Sequence, residues 1–280
     1  MAYLVVASLI WALSFSLIKH VLVGLDSNMI AMVRLALSCI IFLPMLKWRR
    51  VKASGAFRLL LLGGVQYGFM YAFYLAAFRY LAAYEIALFT VMTPFYVVLV
   101  HDIIERRFVL RHFLCAAVAV LSGTVLLWRV PAAEQLWRGF ILMQLSNICF
   151  AAGQVYYRRR IGGSARDGAY LFGWIYAGAL LAVLPLSLLS GAVVSFAPTL
   201  RQWGALIYLG VLPSGAAFYL WNVGAVRVGP GVLAVMNNLK IPLAVLLAVL
   251  FFGERPDLAR LALAVVLLLV ALYTVRDEMR

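Results

Sequence analysis

A lysine and two asparagines interrupt an apolar run near the C-terminal end of the chain. The run extends from Val232 to Phe252, and Asn237, Asn238 and Lys240 lie within it. About 20 apolar residues are enough to cross a bilayer as a helix. Lys240 lies roughly 12 Å along such a helix, at about 1.5 Å per residue, which is near the midplane. Since a lysine there costs at least ~2.5 kcal/mol to insert, we expect it to face protein, water or a ligand.

Helical spacing groups further polar side chains into strips on three apolar segments. Residues three and four apart share a helix face. The strips are Asn237 with Lys240, Tyr219 with Asn222, and Gln144 with Asn147. Hydrogen bonding between helices explains a single strip, and such bonds average only about 0.6 kcal/mol. Several strips together with a lysine favour a ligand-binding cavity.

Aromatic side chains form a second group of candidates. Tyr71 and Tyr74 lie on an aromatic ridge of one apolar segment, and Trp11 lies on the first segment. Aromatic stripes at helical spacing also arise from simple packing, and that alternative stays open. If they do line the cavity, the combination suits a ligand with a small anion, an apolar body and hydrogen-bonding edges.

Composition indicates a polytopic membrane protein in a lipid bilayer. Hydrophobic residues make up 66% of the 280 residues, charged residues make up 12%, and the mean hydropathy is +1.02. A soluble domain has about 25% charged residues. The net charge of +14 falls in short links between apolar spans, so we expect no nucleic-acid partner. No separable signal peptide, metal-ligand spacing or nucleotide-binding loop is found, so no cofactor is expected.

Hydropathy predicts ten membrane-spanning helices joined by short links, so that consecutive helices are antiparallel neighbours. The predicted spans are Ala2–Ile18, Asn28–Leu46, Phe57–Phe78, Tyr84–Ile104, Phe113–Trp128, Arg138–Tyr157, Ala169–Leu189, Gly204–Val223, Val232–Phe252 and Leu258–Val275. Most of the 24 lysines and arginines lie in the links on one side, which the positive-inside rule assigns to the cytoplasm. Both termini are therefore predicted to be cytoplasmic.

The two halves of the chain resemble each other. Residues 76–94 align with residues 224–242 without a gap, which pairs Arg79 with Arg227 and Pro94 with Pro242. Because an odd number of spans separates the copies, they have opposite orientations, as in many secondary transporters. The predicted fold is an all-α membrane protein with two inverted five-helix repeats, residues 1–135 and 136–280. Chance similarity between apolar helix pairs is the alternative.

The repeat pairs chemically different residues. Phe89 aligns with Asn237, and Met92 aligns with Lys240. One half therefore presents amides and a cation, and the other half presents an aromatic ring and a thioether at the equivalent positions. We include Phe89 and Met92 among the candidate binding residues for that reason.

Several motifs together resemble the drug/metabolite transporter superfamily in its ten-helix EamA-type form, over essentially the whole length. They are residues 9–15 (LIWALSF), residues 33–36 (VRLA), the prolines Pro94 and Pro242, and residues 253–255 (GER). More narrowly, residues 144–148, 88–94 and 236–238 are similar to bacterial biotin permeases of this superfamily. The resemblance implies a secondary transporter of the bacterial inner membrane, a monomer or weak homodimer, that takes up biotin or a similar carboxylate.

Three alternatives accompany that expectation. An exporter or exchanger of amino acids, amines or other small metabolites would have the same fold. An intramembrane enzyme would need a metal motif, paired aspartates or a serine–histidine pair at membrane depth, and the sequence contains none of these patterns. A non-catalytic assembly factor would not need buried polar strips on several helices.

Four further residues receive separate roles. Arg34 belongs to the superfamily motif and is expected to act as a structural brace, with snorkelling to the outer interface as the default for its depth. Glu85 is the best candidate for a proton-coupling carboxylate, and a plain helix N-terminal carboxylate is the alternative. Pro94 and Pro242 are either hinges or static bends. The inner end of the fourth span, with His101 and its neighbours, is predicted to be solvated.

Overall fold

A computed structural model describes residues 1–81, 86, 89–127, 136–161, 168–244 and 258–279. Within these ranges the regular secondary structure is helical, with no strand. The main helices are α1 (Ala2–Val21), α2 (Ser27–Phe42), α3 (Ala53–Ala77), α4 (Thr93–Glu105), α5 (Leu110–Leu127), α6 (Leu136–Arg160), α7 (Ala169–Leu189), α8 (Leu200–Ala225), α9 (Pro230–Met236) and α10 (Leu258–Thr274).

Each predicted span overlaps one of these helices. Four helical segments of the described chain are long and apolar enough to cross a membrane, judged by length and composition: Ser27–Met45, Ala53–Ala77, Ala169–Leu189 and Leu200–Ala225. The all-helical prediction is therefore confirmed for the described residues.

Helices α3 and α8 each contain a wider, π-helical stretch near the middle. In α3 it is Gly64–Phe69, and in α8 it is Gly210–Ala216. Pro213 lies within the second stretch, where its ring removes one backbone donor. A π-helical turn frees backbone carbonyl oxygens for other partners and is frequent at functional sites. The two stretches lie at nearly equivalent positions of the two halves of the chain.

The predicted spans four and nine are interrupted rather than continuous. In span four, residues 89–90 are helical, residues 91–92 form a turn, and α4 then begins at Thr93 with Pro94 in its first turn. In span nine, α9 ends at Met236, residues 237–239 form a turn, and the helix resumes at residue 240. Pro242 thus lies in a first turn as well. Proline is favoured there because its missing N–H would have no helical partner.

The two interruptions lie against each other. The side chain of Asn238 donates to the carbonyl oxygen of Val91 at 3.1 Å and to that of Ala119, in α5, at 2.7 Å. Turns leave backbone carbonyl oxygens without helical partners, and a buried carbonyl needs one. Asn238, which has no exposed surface, therefore satisfies the backbone of both neighbouring helices at this crossing.

Two expectations for the ends of span four have different outcomes. Glu85 lies outside the described residues, so its predicted coupling role stays a prediction. The prediction of a solvated inner end is wrong for His101 and Asp102, which are each 5% exposed. Asp102 accepts a hydrogen bond from the backbone N–H of Val109 at 2.8 Å, because the chain after α4 folds back over this end. Arg159 pairs with Glu105 at 3.1 Å beside it.

Helices α3 and α7 pack backbone against backbone through glycines. A Cβ atom at Gly63 would lie 1.7 Å from the carbonyl oxygen of Ile175, and one at Gly178 would lie 2.0 Å from that of Leu60. Small residues allow helices in a membrane to approach closely, which increases their dispersion attraction. This crossing fixes α3, which carries Tyr71, against the second half of the chain.

We expect Gly178→Ala to destabilise the protein by at least about 1–3 kcal/mol, because overpacking forces the two backbones apart. Gly204→Ala in α8 is a matched control, since no atom lies within 4 Å of a Cβ atom there. The thermal midpoint in detergent should fall for Gly178→Ala and stay level or rise slightly for Gly204→Ala. Equal midpoints for the two variants would contradict the close crossing.

Candidate functional site

A cavity of about 80 Å³ lies between the two halves of the chain. It has polar and aromatic walls contributed by α1, α2, α3, α6 and α8 and by the interrupted spans four and nine. The lining residues are Trp11, Ser14, Ile18, Arg34, Met70, Tyr71, Tyr74, Thr90, Thr93, Met143, Ser146, Asn147, Phe150, Phe218 and Lys240. Interruption of the two spans places Thr90 and Lys240 at the cavity, directly beside the turns.

Lys240 contributes an uncompensated positive charge to this cavity. Its side chain is 8% exposed, and it has neither a hydrogen bond nor an ion pair with any described residue. Its ammonium lies 5.5 Å from the ring centre of Trp11 and 5.9 Å from that of Phe150. Such cation–π contacts contribute about 0.5–2 kcal/mol, which is less than the several kcal/mol that desolvation of an ammonium costs. An anion in the cavity would supply the missing compensation.

Arg34 is a second buried cation at the cavity. Its Nε donates to Ser214 Oγ at 3.0 Å, and its Nη2 donates to the Tyr71 hydroxyl at 2.8 Å. Only 2% of the residue is exposed, so the side chain does not snorkel to the interface. Its Nη1 has no hydrogen-bond partner among the described residues. Arg34 therefore ties α2 to α3 and α8, and it also adds positive charge to the cavity.

Aromatic rings form the apolar part of the lining. The Trp11 ring packs against Phe218 with ring centres 4.9 Å apart and against Phe150 at 6.0 Å. Its indole N–H donates at 2.9 Å to the carbonyl oxygen of Pro213, one of those in the π-helical stretch of α8. A fixed indole of this kind offers a flat apolar face to a ligand, because its only polar group is already bonded.

The tyrosines of α3 continue this surface. Tyr71 carries the guanidinium of Arg34 4.6 Å above its ring centre, and its hydroxyl also bonds Ser214 Oγ at 2.9 Å. Tyr74 packs edge-on against Phe78 with ring centres 5.4 Å apart and is only partly buried. Both of these predicted residues line the cavity, as do Trp11 and Lys240.

Asn147 is the predicted amide that lines the cavity. Its amide nitrogen donates to the carbonyl oxygen of Phe89 at 2.8 Å and to Gln144 Oε1 at 3.4 Å. Gln144 is 8% exposed and does not line the cavity, so it supports Asn147 from behind. Phe89 packs its ring against Phe140, with ring centres 5.0 Å apart, and is not one of the lining residues.

The remaining predicted amides belong to a separate buried network. Asn222 donates to the Tyr67 hydroxyl and accepts from the Gln66 amide at 3.3 Å. Asn237 donates to the carbonyl oxygen of its own helix at Leu233, 2.8 Å away, and more weakly to Gln154 at 3.4 Å. Apart from the bond to Leu233, these are the interhelical hydrogen bonds that a single polar strip also predicts.

Tyr219 and Met92 are partly buried and lie outside the cavity lining. Tyr219 packs edge-on against Phe172, with ring centres 5.1 Å apart. Met92 occupies the turn before α4. Ligand contact by these two residues, and by Asn222, Asn237, Gln144 and Phe89, stays a prediction. The cavity lining therefore brings together only some of the predicted substrate-binding residues.

Sequence reasoning missed much of the lining because the cavity face is rotated relative to the polar strips. In α6 the strip runs through Gln144 and Asn147, whereas the lining runs through Met143, Ser146, Asn147 and Phe150. In α8 the lining residue is Phe218, adjacent to the predicted Tyr219. Phe150 lies three residues after Asn147, so helical spacing alone places the two on one helix face. Because Phe150 is apolar, it was not counted in the polar strip.

The contrast between the two cations leads to a stability prediction. We expect Lys240→Met to raise the thermal midpoint of the ligand-free protein, because it removes a buried charge that has no hydrogen bond to lose. Replacing buried charges by packed apolar groups has stabilised proteins by about 1–4 kcal/mol. Arg34→Met should give no rise, because it also removes the bonds to Ser214 and Tyr71. A lower midpoint for Lys240→Met than for the wild type would mean that its ammonium has a stabilising partner.

Comparison with known proteins agrees with a membrane carrier. A probable biotin transporter of Pseudomonas aeruginosa is 38% identical over 279 residues, which cover 99% of this chain and 97% of that protein. The biotin transporter of Escherichia coli strain K12 is 33% identical over 279 residues, covering 99% and 93% of the two chains. Protein PecM of Dickeya dadantii is 28% identical over 222 residues, covering 79% and 73%.

Two further comparisons concern fold and family. A solved crystal structure superposes with a TM-score of 0.79 over 98% of both chains at 20% identity, which shows a shared fold alone. The model of the EamA-like transporter family matches residues 1–129 and 137–276. These matches cover nearly the whole chain, and the two biotin transporters exceed 30% identity over almost their full length. The chain therefore belongs to the EamA-like transporter family.

Proposed function

We propose that this chain is a secondary transporter that takes up biotin, or a similar small carboxylate, across the bacterial inner membrane by alternating access. The observation that carries the proposal is the ammonium of Lys240, which lines the cavity and has no counter-ion among the described residues. Full-length relatives that are named biotin transporters support the substrate. The carboxylate of biotin would compensate the charge of Lys240, and its ring system would pack on Trp11 and Phe150.

The cavity in this structure is smaller than the bound ligand requires. Its volume of about 80 Å³ compares with roughly 300–1,000 Å³ for typical ligand pockets. We therefore expect the cavity to widen on one side of the membrane before biotin enters. Water, at roughly 10–15 Å³ of such volume per molecule, has room to occupy it in the meantime.

The symmetry of the interruptions supports an inverted-repeat mechanism. Paired π-helical stretches in α3 and α8, and paired turns before Pro94 and Pro242, occur at equivalent positions of residues 1–135 and 136–280. Many secondary transporters bind substrate near the midplane between discontinuous helices of two inverted repeats. We propose the same arrangement here, with ten transmembrane helices, both termini cytoplasmic, and the prolines as hinges.

An exporter of amino acids or amines is the competing function. An amine carries positive charge, which the two cations Lys240 and Arg34 would repel, so the described lining favours anions over amines. Amino acids, which carry both charges, would need a carboxylate in the lining, and the described lining residues include none. For these reasons we place uptake of a carboxylate first.

We expect the wild-type protein to bind biotin more tightly than biotinol, the neutral alcohol analogue, by roughly 10- to 100-fold. Hydrogen bonds to charged groups contribute about 1.5–3 kcal/mol, and biotinol cannot form the carboxylate–ammonium pair. Lys240→Met should bind both compounds with similar affinity. Lys47→Met, in an exposed link, is the control and should keep the preference. Calorimetry on the three purified proteins measures all six affinities.

An undiminished preference for biotin in Lys240→Met would remove Lys240 from carboxylate recognition. If the wild type binds amines or amino acids instead of biotin, the competing function is correct.

A transport assay tests the hinge and the coupling together. Cells that lack their own biotin permease should accumulate radiolabelled biotin when they express this chain, and an uncoupler should lower the accumulation if protons drive it.

Pro242→Ala should bind biotin normally but turn over more slowly, because the interrupted helix becomes more regular. Wild-type turnover in Pro242→Ala would identify the proline as a static bend.

A further inference from the structure

Four serine and threonine side chains line the cavity, and each donates its hydroxyl proton to a backbone carbonyl oxygen. These four residues, named the hydroxyl wall below, are Ser14, Thr90, Thr93 and Ser146. The donor–acceptor distances are 2.6 Å from Ser14 to Trp11, 2.8 Å from Thr90 to Ile86, 2.6 Å from Thr93 to Thr90, and 3.0 Å from Ser146 to Met70. A hydroxyl has one proton and two lone pairs, so each of these oxygens can only accept further hydrogen bonds.

The neutral N–H donors of the lining are also engaged. Both N–H groups of the Asn147 amide are directed at Phe89 and Gln144, and the indole N–H of Trp11 is directed at Pro213. Among the described lining residues, the donors left for a ligand are the two cations and the tyrosine hydroxyls, of which that of Tyr71 also bonds Ser214 Oγ. The cavity therefore presents cationic donors for an acidic group, and a hydroxyl wall that accepts hydrogen bonds without offering any.

A carboxylate alone does not satisfy this arrangement. It compensates the cations, but it brings no proton for the hydroxyl wall, whose oxygens are nearly buried and would lose their water when a ligand fills the cavity. A buried acceptor that loses water without gaining a donor costs about 1–3 kcal/mol. A ligand that carries N–H groups as well as a carboxylate avoids that cost.

We propose that the hydroxyl wall selects substrates that carry N–H donors in addition to a carboxylate, and that in biotin it accepts the two ureido N–H groups. This inference rests on the proposed function, because it assigns a second part of the same substrate to the same cavity. It divides recognition between the two ends of the ligand: charge is recognised at Lys240, and hydrogen-bond direction is recognised at the wall.

Two analogues of biotin separate these contributions. Desthiobiotin keeps the ureido group and the carboxylate but lacks the sulfur-containing ring. Lipoate has a carboxylate on a similar chain and a sulfur-containing ring, and it has no N–H group. We expect desthiobiotin to compete with radiolabelled biotin for the wild-type protein within about tenfold of biotin itself, and lipoate to compete far more weakly.

Variants of the wall have matched controls elsewhere in the chain. Thr90→Val is matched by Thr124→Val in α5, where Thr124 donates to Val120 four residues earlier, just as Thr90 donates to Ile86. Ser146→Ala is matched by Ser122→Ala, because each serine donates to the backbone of another helix, at Met70 and Ala264 respectively. Neither control residue lines the cavity.

We expect Thr90→Val and Ser146→Ala each to weaken biotin and desthiobiotin roughly three- to tenfold, as loss of one net hydrogen bond predicts. Lipoate affinity should not change in either variant, and the two control variants should bind all three compounds as the wild type does. Equilibrium binding to purified protein gives these ratios, and a general folding defect would instead weaken lipoate together with biotin.

Two results would overturn the inference while leaving the proposed function intact. One is biotin affinity in both wall variants equal to that of their controls, and the other is wild-type affinity for lipoate equal to that for biotin. Wild-type protein that binds no biotin would refute the proposed function and the inference with it.

Discussion

A positive charge held in an apolar interior, with no counter-ion among the described residues, is the constraint on which this molecule depends. Lys240 is nearly buried, and its nearest charge-stabilising contacts are the rings of Trp11 and Phe150. Arg34 adds a second charge, which two hydroxyl groups solvate. Such charges are tolerable at membrane depth only where protein rather than lipid surrounds them. The chain meets this requirement by enclosing them in a small cavity lined by both halves.

The interrupted helices and the close crossings serve the same requirement. A continuous helix would present Lys240 beside fully bonded backbone, whereas the turn at residues 237–239 opens space next to it. Asn238 then bonds the backbone exposed at the neighbouring interruption. The glycine contacts between α3 and α7 bring Tyr71 close enough to reach Arg34. The helix interruptions thus make room for the cavity, and the close helix crossings hold its walls together.

The sequence predicted the spans well because hydropathy and length are strong, local signals. The equivalent positions of the two prolines also followed from it. The rotation of the cavity face did not, because it depends on which neighbouring helix each amide bonds. Asn222 is directed at Tyr67, and Asn237 at its own helix. Serines such as Ser146 gave no signal, since small hydroxyl residues are common in membrane helices and their role depends on the direction of one proton.

The π-helical stretch of α8 has a consequence for how this chain tolerates change. Its carbonyl oxygens at Gly210, Pro213 and Ser214 accept side-chain hydrogen bonds from α2, α1 and α7 respectively. A π-helical turn corresponds to one residue inserted into an α-helix. Deleting a single residue between 210 and 216 would remove that insertion, and these carbonyl oxygens would then be directed at backbone N–H groups of α8 itself. Three helices would then lose their anchors at once, so this segment should accept substitutions far more readily than changes in length.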